Sequence, residues 1–500
     1  MLHLMKSLFS TVVLILFLVT GTVFAGPPRY KVIFNCDGYA SFINAEGDQD
    51  RWLLNVFGPL EGSQVGALFW CDGAGGNTAN YKSEILEVTG TSNNNVNPHL
   101  KQMLEKGQDP PAIVVREAHA RGLDVFFSFR FNDIHDRFIP EEMPTFKQNN
   151  PDWLIGELDY DGLKSGRTSL NFAVDAVRDL KFRIAEELMT KHDFDGLEID
   201  FMRSAPYFKP DEVDSNAHLL TELLARMRKM LDGLEAQRGR DLYLAVRVDE
   251  TLVACKKNGL DVPAWVEQDL VDFIALGSGV IDIDVEDFKK VAKGKKTLVY
   301  PCVYGWPSKY MPIPKQLARG MALNYHSQGA DGIYTFNWFP HTGKNTEAHG
   351  PYLKELLQQV GEVSDIVRRD DSIMFVADRG VRDFSYLYNW SKAVLPSVVR
   401  SGRTLDVPVR VTLTKAITRK FSNVEVRVHS PALATSETLT LSVGNSTVKL
   451  VSDGEWFKGT LDTGDLSHGV NTVKISYKQA TADSPRDLSV NAVEFELTMP

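Results

Sequence analysis

The chain has 500 residues, 43% of them hydrophobic and 24% charged, which is the composition of an ordinary globular protein with room for two or three domains. Lys and Arg number 55 against 65 Asp and Glu, so the formal net charge is −10, and this acidic balance argues against a nucleic-acid-binding protein. The four cysteines are too few for a disulfide scaffold.

Residues 1–25 begin with a short segment that carries Lys6, continue with an apolar stretch and end in Ala25. This order predicts a secretory signal peptide that is cleaved before Gly26. The apolar stretch is shorter than the roughly 20 residues that span a bilayer, which argues against a membrane anchor. We expect a secreted or periplasmic mature chain without a membrane span.

From Tyr30 to Val360, eight short apolar runs alternate with amphipathic stretches. The stretch before the fourth run is typical: it has an N-cap candidate at Asp175 and apolar residues every four positions from Leu180. A doubly wound sheet is the alternative, but it usually opens with a glycine-rich phosphate turn that is missing here. The pattern predicts a (β/α)8 barrel over residues 26–363. The runs are 31–38, 66–73, 123–133, 196–203, 242–250, 273–279, 297–305 and 332–338.

From residue 364 to residue 500 the pattern changes to alternating polar and apolar residues with short turns. This predicts an antiparallel β-sandwich, with the segment 365–400 left unassigned. Two roles stay open for it, a structural accessory domain and a carbohydrate-binding module. The predicted strands are 403–416, 423–430, 437–445, 446–453, 470–479 and 490–500.

Helices cover the outside of a barrel, so the outward side chains of each strand must be apolar and the polar ones must point inward. Charged residues then converge at the carboxyl ends of five successive strands, where barrel active sites are built. The side chains predicted to point inward are Asn35, Asp37, Trp70, Asp72, Ser128, Arg130, Asn132, Glu198, Asp200, Met202, Arg247 and Asp249.

Two neighbouring carboxylates in this set match the requirement of glycosidic-bond cleavage. One carboxylic acid protonates the leaving oxygen, and a second carboxylate acts as nucleophile or activates water. Asp200 on the fourth strand is our candidate for the nucleophile or base. The acid is Asp249 on the fifth strand or Glu250, one residue further along.

A purely structural network of charges is the alternative, because buried carboxylates need partners and Arg130 and Arg247 flank the fourth strand. This interpretation suits Glu198, which lies one inward layer deeper than Asp200. It does not by itself explain an acidic residue at the end of every early strand.

Three segments, DFDGLEIDFMR (193–203), REAHARGLDVFFSFRFNDIHD (116–136) and NGLDVPAWVEQDLVDFIALGSG (258–279), resemble secreted bacterial proteins with a family-10-like glycosyl hydrolase domain. The resemblance covers about residues 30–360. It implies a barrel hydrolase that acts on a carbohydrate, with Asp200 as the catalytic candidate and substrate contacts from the third-strand cluster that includes Asp136. The full set of candidate substrate-binding residues is Asp37, Asp72, Arg130, Asn132, Asp133, His135, Glu198, Arg203, Arg247 and Trp338.

Two better-known barrel families fit less well. Family 18 chitinases have an essential acid where this chain has Met202, and family 10 xylanases have one on the seventh strand, where TLVYPCVYG has none. An Asp on the fourth strand with an acid on the fifth is more similar to the α-amylase arrangement, although Glu198 stands where that family has an Arg.

The predicted barrel is also compatible with two functions besides glycoside hydrolysis. One is a non-catalytic carbohydrate-binding protein. The second is a metal-dependent deacetylase, for which Asp133, His135 and Asp136 are potential ligands. For a carbohydrate ligand of any kind, the side chains of Arg130, Arg203 and Arg247 permit an anionic sugar. We expect no cofactor.

Aromatic residues and cysteines near the strand ends give further expectations. Trp70, Trp306 and Trp338 could stack on a sugar, and the connections 137–172 and 341–350 could border a cleft. Cys36 and Cys71 could form a bridge. Buried free thiols are the alternative for these two cysteines and for Cys255 and Cys302.

Overall fold

The computed structural model describes residues 26–38, 45–156, 167–203, 205–277, 279–307, 310, 312–338, 350–368, 372–379, 393–431, 438–478 and 487–499. The predicted signal peptide, the segment 341–349 and part of the connection after the third strand lie outside these residues. In the ranges just given, no helix combines the length and the apolar character that crossing a membrane requires.

Eight parallel strands close into a barrel in chain order, with the last strand pairing to the first. This confirms the predicted barrel, and the strands coincide with the apolar runs that predicted them. The strands are β1 (Val32–Asp37), β2 (Val65–Cys71), β3 (Asp124–Arg130), β4 (Gly196–Asp200), β5 (Tyr243–Val248), β6 (Phe273–Leu276), β7 (Leu298–Tyr304) and β8 (Ile333–Phe336).

Helices between the strands pack their apolar faces on the outside of the barrel. In the helix before β4, Ile184 and Leu188 are buried on the inner face, and Asp175 is the first helical residue, one position after the N-cap. The helices in the described residues are α1 (Gln49–Phe57), α2 (Pro98–Glu105), α3 (Pro110–His119), α4 (Thr145–Asn149), α5 (Asp175–Lys191), α6 (Val213–Arg238), α7 (Leu252–Lys257), α8 (Val262–Glu267), α9 (Val285–Val291), α10 (Lys315–Ser327), α11 (Gly350–Leu356), α12 (Val363–Arg368) and, in the C-terminal part, α13 (Lys415–Lys420).

The barrel interior has its own apolar cluster, separate from the core beneath the helices. Phe126 and Phe273 belong to this interior cluster and lie near the amino ends of β3 and β6. Their rings contact each other edge to face at 5.7 Å between centroids. Aromatic side chains therefore fill the amino end of the barrel, which leaves the polar inward residues at the carboxyl end.

On β2 the predicted orientation is wrong by one residue. Pairing with β1 places Phe69 beside Asn35 and Trp70 beside Cys36. Phe69 belongs to the interior cluster, whereas Trp70 lies in the outer core with its ring edge-on to Phe127. Apart from Gly66, every residue of β2 is apolar, so the alternation of polar and apolar residues that decides the faces of β4 is missing here.

The C-terminal part is an antiparallel, sandwich-like domain, as predicted. The strands are β9 (Ile373–Val376), β10 (Ser397–Arg400), β11 (Thr404–Val411), β12 (Asn423–His429), β13 (Thr438–Val443), β14 (Ser446–Asp453), β15 (Trp456–Asp462), β16 (Gly469–Lys478), β17 (Asp487–Val490) and β18 (Ala492–Thr498). An eight-stranded sheet has the order β11-β16-β13-β14-β15-β12-β18-β9, and β10 pairs with β17. The predicted strands omit β9, β10, β15 and β17.

The two parts of the chain meet where α10 packs on β9, the edge strand that pairs with β18. Gly320 in α10 lies against this strand, and a Cβ at that position would be 1.9 Å from the carbonyl oxygen of Met374. Nearby, the Asp378 carboxylate accepts hydrogen bonds from the backbone N–H groups of Ile281 and Asp282, at 3.2 and 3.4 Å. The C-terminal sheet is therefore in direct backbone contact with the barrel.

We expect Gly320→Ala to lower the free energy of unfolding by about 1–3 kcal/mol, because the added methyl group forces the helix and strand backbones apart. Gly233→Ala is the matched control. It lies in the exposed part of α6 with no atom within 4 Å of its Cβ position, so there alanine should stabilise by about 0.5–1 kcal/mol. Chemical denaturation measures both. A Gly320→Ala protein as stable as wild type would contradict the close packing of α10 on β9.

Candidate functional site

Three charged side chains lie next to one another at the carboxyl ends of β3, β4 and β5. Strand register pairs Arg130 with Asp200 and Asp200 with Arg247. Arg247 donates from Nε to Oδ1 of Asp200 at 2.9 Å and from Nη2 to Oδ2 at 2.7 Å. The backbone N–H of Met202 also donates to Oδ1, at 3.0 Å. Asp200 is thus held rigidly, with two donors on Oδ1 and one on Oδ2.

The Asp200–Arg247 pair is buried, with side-chain exposures of 1% and 0%. Burial alone would lower the pKa of Arg247, but the charge of Asp200 outweighs it and holds that pKa above its usual value. The Nη1 atom of Arg247 is buried without a hydrogen-bond partner among the described residues. The guanidinium carbon lies 3.6 Å from the ring centroid of Phe336. A bidentate cation packed on an aromatic ring therefore compensates the charge of Asp200.

Glu198 lies one layer deeper in the barrel and is fully buried. Its carboxyl group receives hydrogen bonds from the Ser128 hydroxyl at 2.5 Å and the Tyr334 hydroxyl at 2.8 Å. Burial, together with the charge of Asp200, raises the pKa of Glu198 to about 7. Glu198 is thus bound by side chains of β3 and β8 in the layer below Asp200.

Asp249 and Glu250 follow β5 and are both largely buried. Oδ2 of Asp249 accepts a hydrogen bond from Asn258 at 2.9 Å. Burial and the neighbouring Glu250 raise the pKa of Asp249 to about 7. Glu250 extends towards β6, where a Cβ on Gly277 would lie 2.8 Å from its Cγ. The two candidate acids therefore face different neighbours.

A second ion-pair group lines the mouth of the barrel on the β1 and β3 side. Arg130 donates to Asp37 at 2.7 Å and lies 3.8 Å from Asp133. Although burial opposes it, a hydrogen bond from His135 and the charges of Arg203 and Arg130 hold the pKa of Asp133 below its usual value. Asp37 and Arg130 are thus brought together as predicted, beside Asp133.

His135 connects this group to Arg203. Its Nδ1 lies 2.6 Å from Oδ1 of Asp133, and its Nε2 lies 3.2 Å from Nη2 of Arg203. Because a guanidinium only donates, Nε2 accepts and the ring proton is placed on Nδ1. The imidazole is about half exposed (51%), so it is available to a ligand at the mouth.

Three predicted substrate contacts are engaged elsewhere. Asp72 accepts backbone hydrogen bonds from Ala74 and Asn80, and its burial raises its pKa to about 6. Asn132 is fully buried, and its amide donates a hydrogen bond to the carbonyl of residue 206 and accepts one from the backbone N–H of residue 170. Trp338 is buried in the outer core, where its Nε1 donates to the carbonyl of residue 353 at 3.0 Å. We assign these side chains to loop and core structure.

The sequence analysis missed aromatic and amide groups at the ends of β7 and β8. Tyr304 stacks on Phe336 with ring centroids 5.7 Å apart, and its hydroxyl accepts a hydrogen bond from Asn337 at 3.0 Å. Asn337 has a φ of +48°, in the left-handed region that Asn tolerates, and this turn directs Trp338 away from the mouth. Trp306, a predicted stacking residue, lies edge-on to Tyr304. The missed signal is the asparagine directly after β8.

The potential metal ligands do not point to one place. Asp136 is buried and faces Lys147 at 2.9 Å and Thr168 at 2.8 Å, away from the His135–Asp133 pair. No group of three metal-ligating side chains is found in the part of the chain that the structure describes.

The four cysteines are all buried, and none of them forms a disulfide. Cys36 and Cys71 lie on the neighbouring strands β1 and β2 but are not opposite each other. Cys36 lies beside Trp70, and Cys71 lies beside Asp37. Successive residues of a strand point to opposite faces, so the two thiols face opposite sides of the barrel wall. The predicted bridge between them is therefore replaced by the free-thiol alternative.

Comparison with solved structures finds distant similarity to glycoside hydrolases, with TM-scores below 0.5 for the three neighbours that follow. The glycoside hydrolase domain of PgaB (BpsB) from Bordetella bronchiseptica is 14% identical, with a TM-score of 0.46 over 66% of this chain and 99% of that chain. An α-amylase from Geobacillus thermoleovorans is 11% identical, with a TM-score of 0.39 over 91% and 100% of the two chains. An α-galactosidase from Thermus thermophilus is 14% identical, with a TM-score of 0.36 over 67% and 63%.

No family model matches the sequence, and no curated protein matches it. The resemblance to the family-10-like domain therefore stays a prediction. The solved neighbours are too distant to bear on the chemistry of this chain, so any function must be argued from its own residues.

Proposed function

We propose that this protein is a glycoside hydrolase whose reaction is carried out by Asp200 and Asp249 at the carboxyl end of the barrel. One observation carries the proposal: two carboxyl groups on neighbouring strands have opposite environments. Asp200 is paired with a buried guanidinium that compensates its negative charge. Asp249 is buried beside Glu250, and its pKa is raised to about 7. Such a division between a carboxylate and a carboxylic acid is the basis of glycosidic-bond cleavage.

In this proposal Asp200 acts as the nucleophile or as the base that activates water. A carboxylate has about four lone-pair positions, and the three donors on Asp200 occupy two on Oδ1 and one on Oδ2. In this proposal the remaining position on Oδ2 receives the anomeric carbon or a water molecule when a glycan is bound. Arg247 and the backbone N–H of Met202 keep the carboxylate oriented.

Asp249 donates the proton to the leaving oxygen as the bond to the anomeric carbon breaks. The hydrogen bond from Asn258 to Oδ2 orients the group. Burial, together with the charges of Asp200 and Asp249, raises the pKa of the Tyr207 phenol, so both carboxyl groups lie near this ring. Asp37, Arg130, Asp133, His135 and Arg203 are proposed to contact the sugar hydroxyls at the mouth.

The proposal is tested by measuring reducing-sugar release across a panel of neutral, uronic and sulfated glycans, followed by a pH profile on the best substrate. We expect kcat/KM to fall as the pH rises above about 7, because Asp249 then loses the proton that it must donate. Glu250→Gln removes the charge that helps to raise this pKa. The falling limb should therefore shift to lower pH, while most of the activity at acidic pH is kept.

Glu267→Gln is the matched control, an exposed glutamate at the end of α8 that should leave the profile unchanged. If Glu250→Gln instead removes activity at every pH, Glu250 is the acid and our assignment of Asp249 is wrong. If the wild-type protein releases no sugar from any glycan of the panel, the proposed function fails.

A further inference from the structure

A cavity of about 310 Å³ lies between the C-terminal sheet and the barrel. This volume is at the lower end of the range for small-molecule sites and accommodates one or two sugar units. Its lining combines two aromatic side chains with polar and charged groups. Among the lining residues are Tyr310, Arg427, Asp453, Trp456, Lys458 and Glu494.

The sheet side of the cavity is the polar face of β12, β14, β15 and β18. Register places Trp456 beside His429 on β12 and beside Asp453 on β14. It also places Lys458 beside Arg427. The residues between them on β12 and β15 point to the opposite face and are buried in the apolar core. Strand alternation therefore presents the indole and the charged groups together to the cavity.

The barrel side comes from the connection between β7 and α10. Tyr310 donates a hydrogen bond from its hydroxyl to Glu494 on β18 at 2.6 Å, which joins the two walls. The same connection starts at the carboxyl end of β7, just after Tyr304, and contains Trp306. The cavity is therefore attached to the end of the barrel that holds the candidate catalytic residues.

The charged groups around the cavity are paired with each other. Arg427 lies 2.8 Å from Glu494 and 3.3 Å from Glu496. Lys458 lies 2.7 Å from Asp453. Because each cation already has a carboxylate partner, no uncompensated positive charge is left for an anionic ligand among the described residues around the cavity. It does offer many hydrogen-bond donors and acceptors, which suits a neutral ligand rich in hydroxyl groups.

Trp456 provides the apolar surface that such a ligand needs. Its ring is partly exposed and is flanked by the His429 ring at 4.9 Å and by the Arg427 guanidinium at 5.9 Å. A pyranose ring has an apolar face of C–H groups and a rim of hydroxyls, which matches an indole surrounded by fixed polar groups.

We propose that this cavity is a second carbohydrate-binding site, in which Trp456 stacks on a neutral sugar unit of a glycan. The choice of a glycan rests partly on the function proposed for the barrel. The site would hold a chain at the end of the barrel where cleavage takes place, and the C-terminal domain would then be a binding module.

The test uses the full chain in an Asp249→Asn background, so that a bound glycan is not cleaved, on a printed array of neutral, uronic and sulfated oligosaccharides. We expect binding to neutral members, weakened about tenfold or more by Trp456→Ala and less by Trp456→Phe, which keeps a flat ring. Val470→Ala, an exposed change on β16 away from the cavity, should bind like the parent. Circular dichroism checks the fold of each variant.

Equal binding by the parent and by Trp456→Ala would overturn the inference, as would binding of acidic members alone or of no glycan. These outcomes leave the proposed function to its own assay. Conversely, if binding to neutral glycans depends on Trp456 but the wild-type protein releases no reducing sugar, the second site is supported and the hydrolase is rejected.

Discussion

Asp200→Asn should reduce glycan hydrolysis by about a thousandfold or more, because an amide oxygen neither attacks the anomeric carbon effectively nor accepts a proton from water. The substitution keeps the size of the side chain, and the amide oxygen still accepts a hydrogen bond from Arg247. It nevertheless leaves a buried guanidinium without its counter-charge. Activity must therefore be compared at a temperature where circular dichroism shows the variant to be folded.

Asp272→Asn provides a control that separates lost chemistry from lost stability. Asp272 is also buried, lies 3.1 Å from Arg228 and 2.8 Å from Lys296, and immediately precedes β6 at the opposite end of the barrel. We expect it to lower stability to a similar extent while kcat is kept. If folded Asp200→Asn retains wild-type kcat, Asp200 is not the nucleophile or base. If both variants lose activity to the same extent, the loss is caused by lower protein stability and not by the removal of a catalytic group.

Arg247→Met should lower the free energy of unfolding by about 3–5 kcal/mol, since it leaves Asp200 charged, buried and without its bidentate partner. Activity should fall as well, because the carboxylate loses its orientation. Chemical denaturation measures the first effect, and reducing-sugar release measures the second.

The double variant Asp200→Asn/Arg247→Met tests whether the pair itself causes this loss. With both charges removed, we expect the double variant to be more stable than the sum of the two single losses predicts. Arg226→Met is the control, since Arg226 forms an exposed ion pair with Asp179 at 3.0 Å and should cost about 0–1 kcal/mol. Additive losses would contradict the coupling of Asp200 with Arg247.

The fold could be predicted because eight apolar runs alternate with amphipathic stretches, and the orientation of a strand could be predicted where polar and apolar residues alternate within it. On β4, for example, the apolar Leu197 and Ile199 alternate with the acidic Glu198 and Asp200. An apolar outward face therefore places both acidic side chains inside the barrel. β2 lacks this contrast, and the prediction for Trp70 is wrong for that reason. The strands β9 and β10 could not be predicted because each is short, and strands of that length have a weak pattern.

The site is predictable where it depends on neighbouring strands and not where it depends on distant segments. Strand order alone places Arg130, Asp200 and Arg247 together. The burial of Trp338 depends on α11, the next described helix after β8 in the chain. The left-handed turn at Asn337 depends on the local backbone geometry. Neither follows from alternation.

The position of β9 has a consequence for how the chain is made. This strand follows directly after the barrel segment and packs on α10, but among the described strands it pairs with β18, the final strand of the sheet in chain order. During synthesis β9 therefore emerges long before the strand that satisfies its backbone hydrogen bonds. An unpaired edge of this kind is a template for association with other chains. The growing chain is thus most prone to aggregate after the barrel has been synthesised and before β18 has been added.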